Sequence, residues 1–376
     1  MKLLMISGDR SILEGKLGAF FYTVQELRKH WDRIDVICPR IKQANMERPE
    51  SGHRFMHEGE GGEVYFHPCP RSLLFQVPWI LNKGTLLIEQ HGHDVMTVHD
   101  YPPFYNSTGA RLLKKKTGVP YALELHHIVG CPKAADLSEW IGCLMTRIHV
   151  RFGIGSASGI RVVNETTRNT LVSWGVHPQM IHVVPSFYLD SEVLGADLRP
   201  PIAYDISFCG RLVPNKGLRE VIMAVSLLPD ARLLVIGDGP ERQSMETLTK
   251  KLGIENRVTF LGWLPTQEAV IGAIQTARMF IMNSTSEGGP RVALEAMGCG
   301  MPVLSTRVGV MPEVIHDGVN GMFTSGTCDD VAQKISILLR DDSLRERIAD
   351  EAKKVLKTYE RSTLVCDYAD FLKKLP

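Results

Sequence analysis

The chain has 376 residues, of which 44% are hydrophobic and 23% charged, a composition for a soluble two-domain protein and not for a disordered or fibrous one. Its 43 Lys and Arg against 42 Asp and Glu leave a formal charge of +1, which excludes a chain built mainly to neutralise nucleic-acid phosphates. Eight cysteines without a C-x-x-C pair argue against a disulfide framework or a structural zinc site, so reduced thiols and a cytoplasmic location are expected.

In the first half, short β-rich runs at 2–6, 34–38, 63–66, 94–98, 120–125, 160–163 and 182–184 alternate with helical patterns. The opening apolar run ends by Ile6, too short for a signal-peptide core, and no apolar run reaches the roughly 20 residues of a membrane span. Between the first two strands, "GDRSILEGKLGAFFYTVQELRKHW" places Gly15 and Gly18 before a helix. "EQHGHDVMTVHDY" supplies His91, His93, His99 and Asp100, residue types that ligate zinc or iron, with His126 and His127 following at a strand end. Their order does not match the H-x-H-x-D-H pattern of metallohydrolases. "RLLKKKTG" and "EWIGCLMTRIHVRFG" read first as a solvated helix face and a core helix; contact with an anionic membrane surface is the second reading.

"PSFYLDSEVLGADLRPP" has prolines at both ends and no clean period, and marks the break between domains. The division expected is a first domain over 1–186, a linker over 187–200 and a second domain over 201–359. Further strands are expected at 205–209, 232–236, 257–260, 278–282 and 302–305. Two doubly wound α/β domains facing each other would put the carboxyl ends of both sheets at one cleft. At the end, Leu364, Val365, Tyr368, Phe371 and Leu372 form the apolar stripe of a helix over 360–376.

The chemistry-bearing stretches cluster in the second half. "FCGRLVPNKGLREVIMA" presents Arg211 and Lys216 between a strand and a helix, a planar fork and a point charge suited to phosphate oxygens. "SEGGPRVALEAMGCGMPV" places Glu287 before a Gly288-Gly289-Pro290 turn and Glu295 about five residues into the next helix, ~7.5 Å along its axis. Pro290 suits the first helical position, and the amides of Gly289, Arg291 and Val292 would form an anion site. Two carboxylates on either side of such a site could bond hydroxyls flanking a phosphate; a capping acid and a solvated glutamate would explain the pair equally well.

In this order, Gly210-Arg211-Leu212, Lys216-Gly217, Gly237-Asp238-Gly239-Pro240, Glu287-x7-Glu295 and "GMPVLSTRVGVMPEVIHDGVNGMF" resemble the retaining family 4, or group 1, glycosyltransferases of the GT-B architecture. The resemblance implies two Rossmann-like domains and a last helix that crosses back onto the first. It implies that Arg211 and Lys216 grip the diphosphate of a nucleotide-sugar donor, with Glu287 on the sugar and Glu295 on the ribose. His126 would reach the sugar from its strand end, and the loop of Gly15 and Gly18 would touch donor or acceptor. The first half departs from the family pattern, with Gly15 and Gly18 separated and Ser186 where Asn is common. The activity implied is metal-independent, with no cofactor and no nucleic-acid partner. The acceptor would be a sugar, a lipid-linked glycan or a small molecule, with peripheral contact at the inner membrane face left open. A sugar-nucleotide epimerase of the same architecture and a non-catalytic sugar-nucleotide-binding protein are the alternatives.

Overall fold

The computed structural model describes residues 1–15, 18–41, 53–54, 60–194 and 200–375. The chain divides into two compact units. Unit 1 comprises Met1–His126, Leu144–Pro185 and Arg361–Pro376, and unit 2 comprises His127–Cys143 and Ser186–Glu360.

Among the described residues, unit 1 carries eight strands: β1 (Lys2–Ile6), β2 (Arg33–Cys38), β3 (His53–Arg54), β4 (Glu63–Pro68), β5 (Val95–His99), β6 (Tyr121–Leu125), β7 (Gly159–Val162) and β8 (Ile181–Val183). Their order is β3-β4-β2-β1-β5-β6-β7-β8, parallel throughout except for β3, which runs antiparallel to β4. Central strands covered on both faces need continuous apolar runs, and Leu3 to Ile6 are buried without alternation. The helix Arg361–Lys373 belongs to this unit and packs on Ala19–Leu27, burying the stripe of Leu364, Val365, Tyr368, Phe371 and Leu372.

Unit 2 carries a parallel sheet of β9 (Tyr204–Cys209), β10 (Leu233–Ile236), β11 (Val258–Gly262), β12 (Ala277–Met282), β13 (Val303–Ser305) and β14 (Met322–Phe323). The order is β11-β10-β9-β12-β13-β14, so the winding reverses between β9 and β12. Phe208 on β9 lies opposite Ile281 on β12, which brings the two strand ends to one level. The helix Leu218–Ser226 buries Leu218, Val221, Ile222 and Val225 on one face, at spacings of three and four. Each such side chain contributes about 1.5–3 kcal/mol when fully buried.

The two doubly wound sheets agree with the sequence expectation, and the longer strands fall within two residues of their expected bounds. The two-residue strands β3 and β14 are too short to leave a pattern. Two stretches differ from the reading. Residues 127–143, left in the first domain on sequence, cluster with unit 2, where Pro132 bridges Ser286. The helix Leu137–Gly153, read as a core helix, exposes its large apolar residues Leu144, Ile148 and Phe152 instead.

Candidate active site

The loops after β9 and β12 meet at the reversal in strand order, the usual ligand position of such sheets. Gly210 and Leu212 donate their amides to Ile236 and Asp238, so the turn after β10 braces the turn after β9. Arg211 projects from this brace, exposed and without a side-chain partner among the described residues. The chain then makes a single turn, Pro214–Lys216, and enters the next helix through Gly217 at φ 64°. A Cβ there would stand 2.2 Å from the Asn283 carbonyl oxygen, so only glycine allows the two loops to close up. Asn283 Nδ2 donates to the Gly217 carbonyl at 3.2 Å, and the Thr285 amide to that of Asn215 at 2.8 Å. This stitching sets Lys216 Nζ against Glu287 Oε1, which also accepts from Ser284 Oγ at 2.9 Å.

Gly288, Gly289 and Pro290 carry the chain into the helix Arg291–Gly298. Pro290 occupies the capping position and not the first helical one. Gly289 has a packing reason to be glycine, because a Cβ would fall 1.8 Å from the Phe187 ring. At the start of the helix the amides of Arg291 and Val292 lack intrahelical acceptors, as at any helix N-terminus. Glu295 is buried at 4% exposure, with Gln267 Nε2 and Arg291 Nε each 2.8 Å from its Oε1. Its charge reaches past the helix: burial, then Glu295, push the Cys209 and Cys299 thiols up to about 12.

The segment 127–143 brings His127 to the same neighbourhood. Burial lowers its pKa, and Lys216 acts in the same direction against the opposing pull of Glu287 and Glu139. Its Nε2 is buried without a hydrogen-bond partner among the described residues. Glu139 Oε1 and Oε2 both lie 3.5 Å from Ser286 Oγ, which ties the segment to the loop carrying Glu287.

His126 belongs to unit 1, in a separate network around Glu124 at the end of β6. Glu124 is 1% exposed, and its Oε2 receives His126 Nε2 at 2.8 Å, Arg161 Nη1 at 2.8 Å and His99 Nε2 at 3.2 Å. Its Oε1 accepts from Thr97 Oγ1 and from Tyr368 on the last helix. Despite desolvation, these donors hold the carboxyl well below the usual range, and burial pushes His126 down to about 4. The His126 side chain keeps 38% exposure, so solvent moderates that shift. Gly15 closes the turn Ser11–Glu14 at φ 75° and Gly18 caps the helix Ala19–Leu27; residues 16 and 17 lie outside the described set.

His99, Glu124 and His126 have ligand atoms close enough to hold a metal ion. The Arg161 guanidinium already supplies a positive charge to the same Glu124 oxygen, so this donor set fits an ion poorly. The other histidine and aspartate candidates separate: His93 pairs with Asp35 at 2.9 Å, and Asp100 with His149 at 3.2 Å. Sequence reasoning missed Glu124 and Arg161. A lone glutamate inside the fully buried run Tyr121–Leu125 was the available signal, since a carboxylate there requires buried donors.

Two family models divide the chain between them, the glycosyl transferase 4-like domain over residues 21–186 and glycosyl transferases group 1 over 198–355. Among curated relatives, the lipopolysaccharide core biosynthesis glycosyltransferase LpsE of Rhizobium meliloti is 31% identical over 202 residues, 52% of this chain and 58% of LpsE. The match thus spans little more than half of that relative. The N-acetyl-alpha-D-glucosaminyl L-malate synthase of Bacillus anthracis is 35% identical over 324 residues, 81% of this chain and 82% of that protein. The chain belongs to the glycosyl transferases group 1 family. Its fold is that of solved relatives such as Anabaena HepE in complex with UDP and glucose. That structure superposes over 100% of both chains with a TM-score of 0.75 at 20% identity. Within this family chain, Arg211, Lys216, Glu287 and the start of the helix Arg291–Gly298 share one region of unit 2, and His126, Gly15 and Gly18 stand in unit 1.

Proposed function

We propose that the chain transfers a sugar from a nucleotide-sugar donor to a hydroxyl acceptor, with retention at the anomeric carbon and without a metal ion. The observation that carries this reading is the Lys216–Glu287 pair at the strand reversal of unit 2, beside the exposed Arg211. Family membership supports it, as do the UDP and glucose bound by the Anabaena relative.

Arg211 and Lys216 would neutralise the donor diphosphate, with the Arg291 and Val292 amides assisting. In the transition state, charge grows on the departing diphosphate while the sugar gains oxocarbenium character, and fixed cations stabilise the first of these. An arriving phosphate oxygen competes with Glu287 for the Lys216 ammonium. Glu287 is then released to accept from sugar hydroxyls, while Glu295 holds ribose hydroxyls. His126, largely neutral at pH 7, would position the sugar without transferring a proton. Cations from the chain fill the role of a divalent ion.

A thermal-shift panel of UDP, GDP and ADP sugars identifies the donor, because a ligand that binds only the folded state raises its apparent stability. Nucleoside diphosphate release that requires an acceptor supports transfer. Conversion of the donor without acceptor would indicate an epimerase, and binding without conversion a sensor. EDTA should leave turnover intact, and NMR of the product should report a retained anomer.

A further inference from the structure

The segment 127–143 folds back on itself so that two sulfurs meet. The Cys131 amide donates to the Ile128 carbonyl at 3.0 Å, which turns the chain at Gly130, φ 74°. A Cβ on Gly130 would stand 2.6 Å from the Glu139 carbonyl oxygen, so glycine lets this turn lie against the start of the helix Leu137–Gly153. From the other side, Asp136 Oδ1 accepts from the Glu139 amide at 2.9 Å, and the Ala135 amide donates to Glu139 Oε2 at 2.9 Å. These bonds bring Cys131 Sγ to 3.1 Å from Cys143 Sγ, 12 positions along the chain.

Both thiols are free and half-buried, and Pro132 and Lys133 beside them are exposed, so a small reagent can reach the pair. Disulfide sulfurs stand about 2.05 Å apart, so joining these two takes a side-chain movement of about 1 Å. The pair is thus a local device, set apart from any framework of bridges. Burial, then Cys143, push the Cys131 thiol up. Cys131 is therefore the weaker attacking group, and reaction starts at Cys143.

We propose that Cys131 and Cys143 are a modification site, a dithiol that low-molecular-weight disulfides such as oxidised glutathione convert reversibly to an intramolecular disulfide. The Cys143 thiolate attacks one sulfur of the reagent and expels a glutathione thiolate, which leaves a mixed disulfide on Cys143. Cys131 loses its proton, attacks the Cys143 sulfur and expels the second glutathione thiolate. The two cysteines give up two electrons and two protons, and the reagent gains them as two thiols. The ring closed in this way contains Pro132 and Glu139, which touch Ser286, one position before Glu287. Oxidation thereby fastens the segment on the loop that carries Glu287. The inference does not rest on glycosyl transfer, and its test uses no donor.

The test is tryptic peptide mapping of the full chain after incubation in mixed reduced and oxidised glutathione, acid quench and alkylation. Cleavage after Lys116, Lys133 and Arg147 puts Cys131 and Cys143 on separate peptides, so their disulfide appears as 117–133 linked to 134–147. At equilibrium the linked pair should exceed the glutathione adduct at exposed Cys366 by about tenfold or more, because the second thiol acts at a high effective concentration. Dithiothreitol should reverse it. Cys131→Ser should stop at the mixed disulfide on Cys143, and Cys143→Ser should form its adduct on Cys131 at least about fivefold more slowly. In the oxidised wild type, hydrogen exchange across 132–142 should slow at least about threefold. Glutathione on Cys366 with Cys131 and Cys143 both alkylated and unlinked in the wild type overturns the proposal. So does a link found only between two copies, seen as a dimer on non-reducing gels. Zinc retained by the reduced protein, with both sulfurs protected until a chelator is added, assigns the pair to a metal and overturns it too. A link that leaves exchange unchanged overturns the fastening of the segment.

Discussion

Lys216 and Glu287, 71 positions apart in sequence, form an ion pair between the loops that follow the adjacent strands β9 and β12. Both side chains keep contact with solvent, at 25% and 14% exposure. A partly exposed pair of this kind contributes at most about 1 kcal/mol. On the proposed donor reading, a diphosphate with several charged oxygens would displace Glu287 from the ammonium, and the pair would be a resting arrangement and not a permanent fastening.

Arg211→Ala and Lys216→Ala should each weaken nucleoside diphosphate binding by about 1.5–3 kcal/mol, the value of a charge-assisted contact. Arg211 is exposed, so its removal should leave the melting temperature unchanged. Calorimetric titration of the folded variants provides the measurement. Normal affinity in both variants would remove the diphosphate from this loop.

The two glutamates should fail differently. Glu287→Ala should lower turnover while leaving nucleoside diphosphate affinity normal or slightly improved, because Lys216 is freed and that product has no sugar. Glu295→Ala should weaken both donor and nucleoside diphosphate. It should also cost about 1–3 kcal/mol of stability, since Gln267 loses a buried acceptor and Arg291 its ion-pair partner. Equal losses of both ligands in both variants would contradict the assignment of sugar to one acid and ribose to the other.

The strands were legible because parallel strands covered on two faces carry near-continuous apolar runs, as 3–6 and 233–236 do. The placement of Arg211, Lys216 and Glu287 in loops after strands, and of Glu295 inside the helix that follows, was legible because glycine and proline punctuate those loops. The buried networks were not. Glu124 and Arg161 are 37 positions apart, and Asp35 meets His67 and His93 from 32 and 58 positions away. Such partners are fixed by strand order, which no local period encodes. The outward face of the helix Leu137–Gly153 was hidden for a related reason: an apolar stripe reports a preferred side, not which side the core lies on.

Stability should begin to fall on acidification as soon as the pH drops below the ordinary histidine value. Burial pushes the His126 imidazole down to about 4 from its ordinary 6.5, and the His67 and His127 pKa values are lowered by the same cause. Between those values the unfolded chain binds protons that the native chain refuses, so stability is complete above about pH 6.5 and is lost towards pH 4. Glu124, held below its ordinary 4.5, adds a second loss at lower pH. Melting curves followed by circular dichroism should show this decline, and His126→Gln should flatten its upper part. A melting temperature that rises from pH 7 to pH 5 would refute the burial of neutral imidazoles.

The Glu124 network should behave as a buried ionic cluster whose parts cannot be removed singly. Arg161 is 1% exposed, lies over the Tyr368 ring at 3.7 Å, and donates to the Val184 and Pro185 carbonyls at 3.0 and 2.7 Å as well as to Glu124. Arg161→Met leaves the carboxylate in place without its permanent cation and should cost about 3–5 kcal/mol in urea denaturation. Tyr368→Phe removes one hydrogen bond to the charged group and keeps the ring that covers the guanidinium, so about 1.5–3 kcal/mol is expected. Adding Glu124→Gln to Arg161→Met removes the uncompensated charge and should recover part of the loss, giving a coupling energy between the two sites. If the double variant is less stable than Arg161→Met by the full cost of Glu124→Gln alone, the two residues act independently, and Arg161 is needed for its carbonyl contacts and not for its charge.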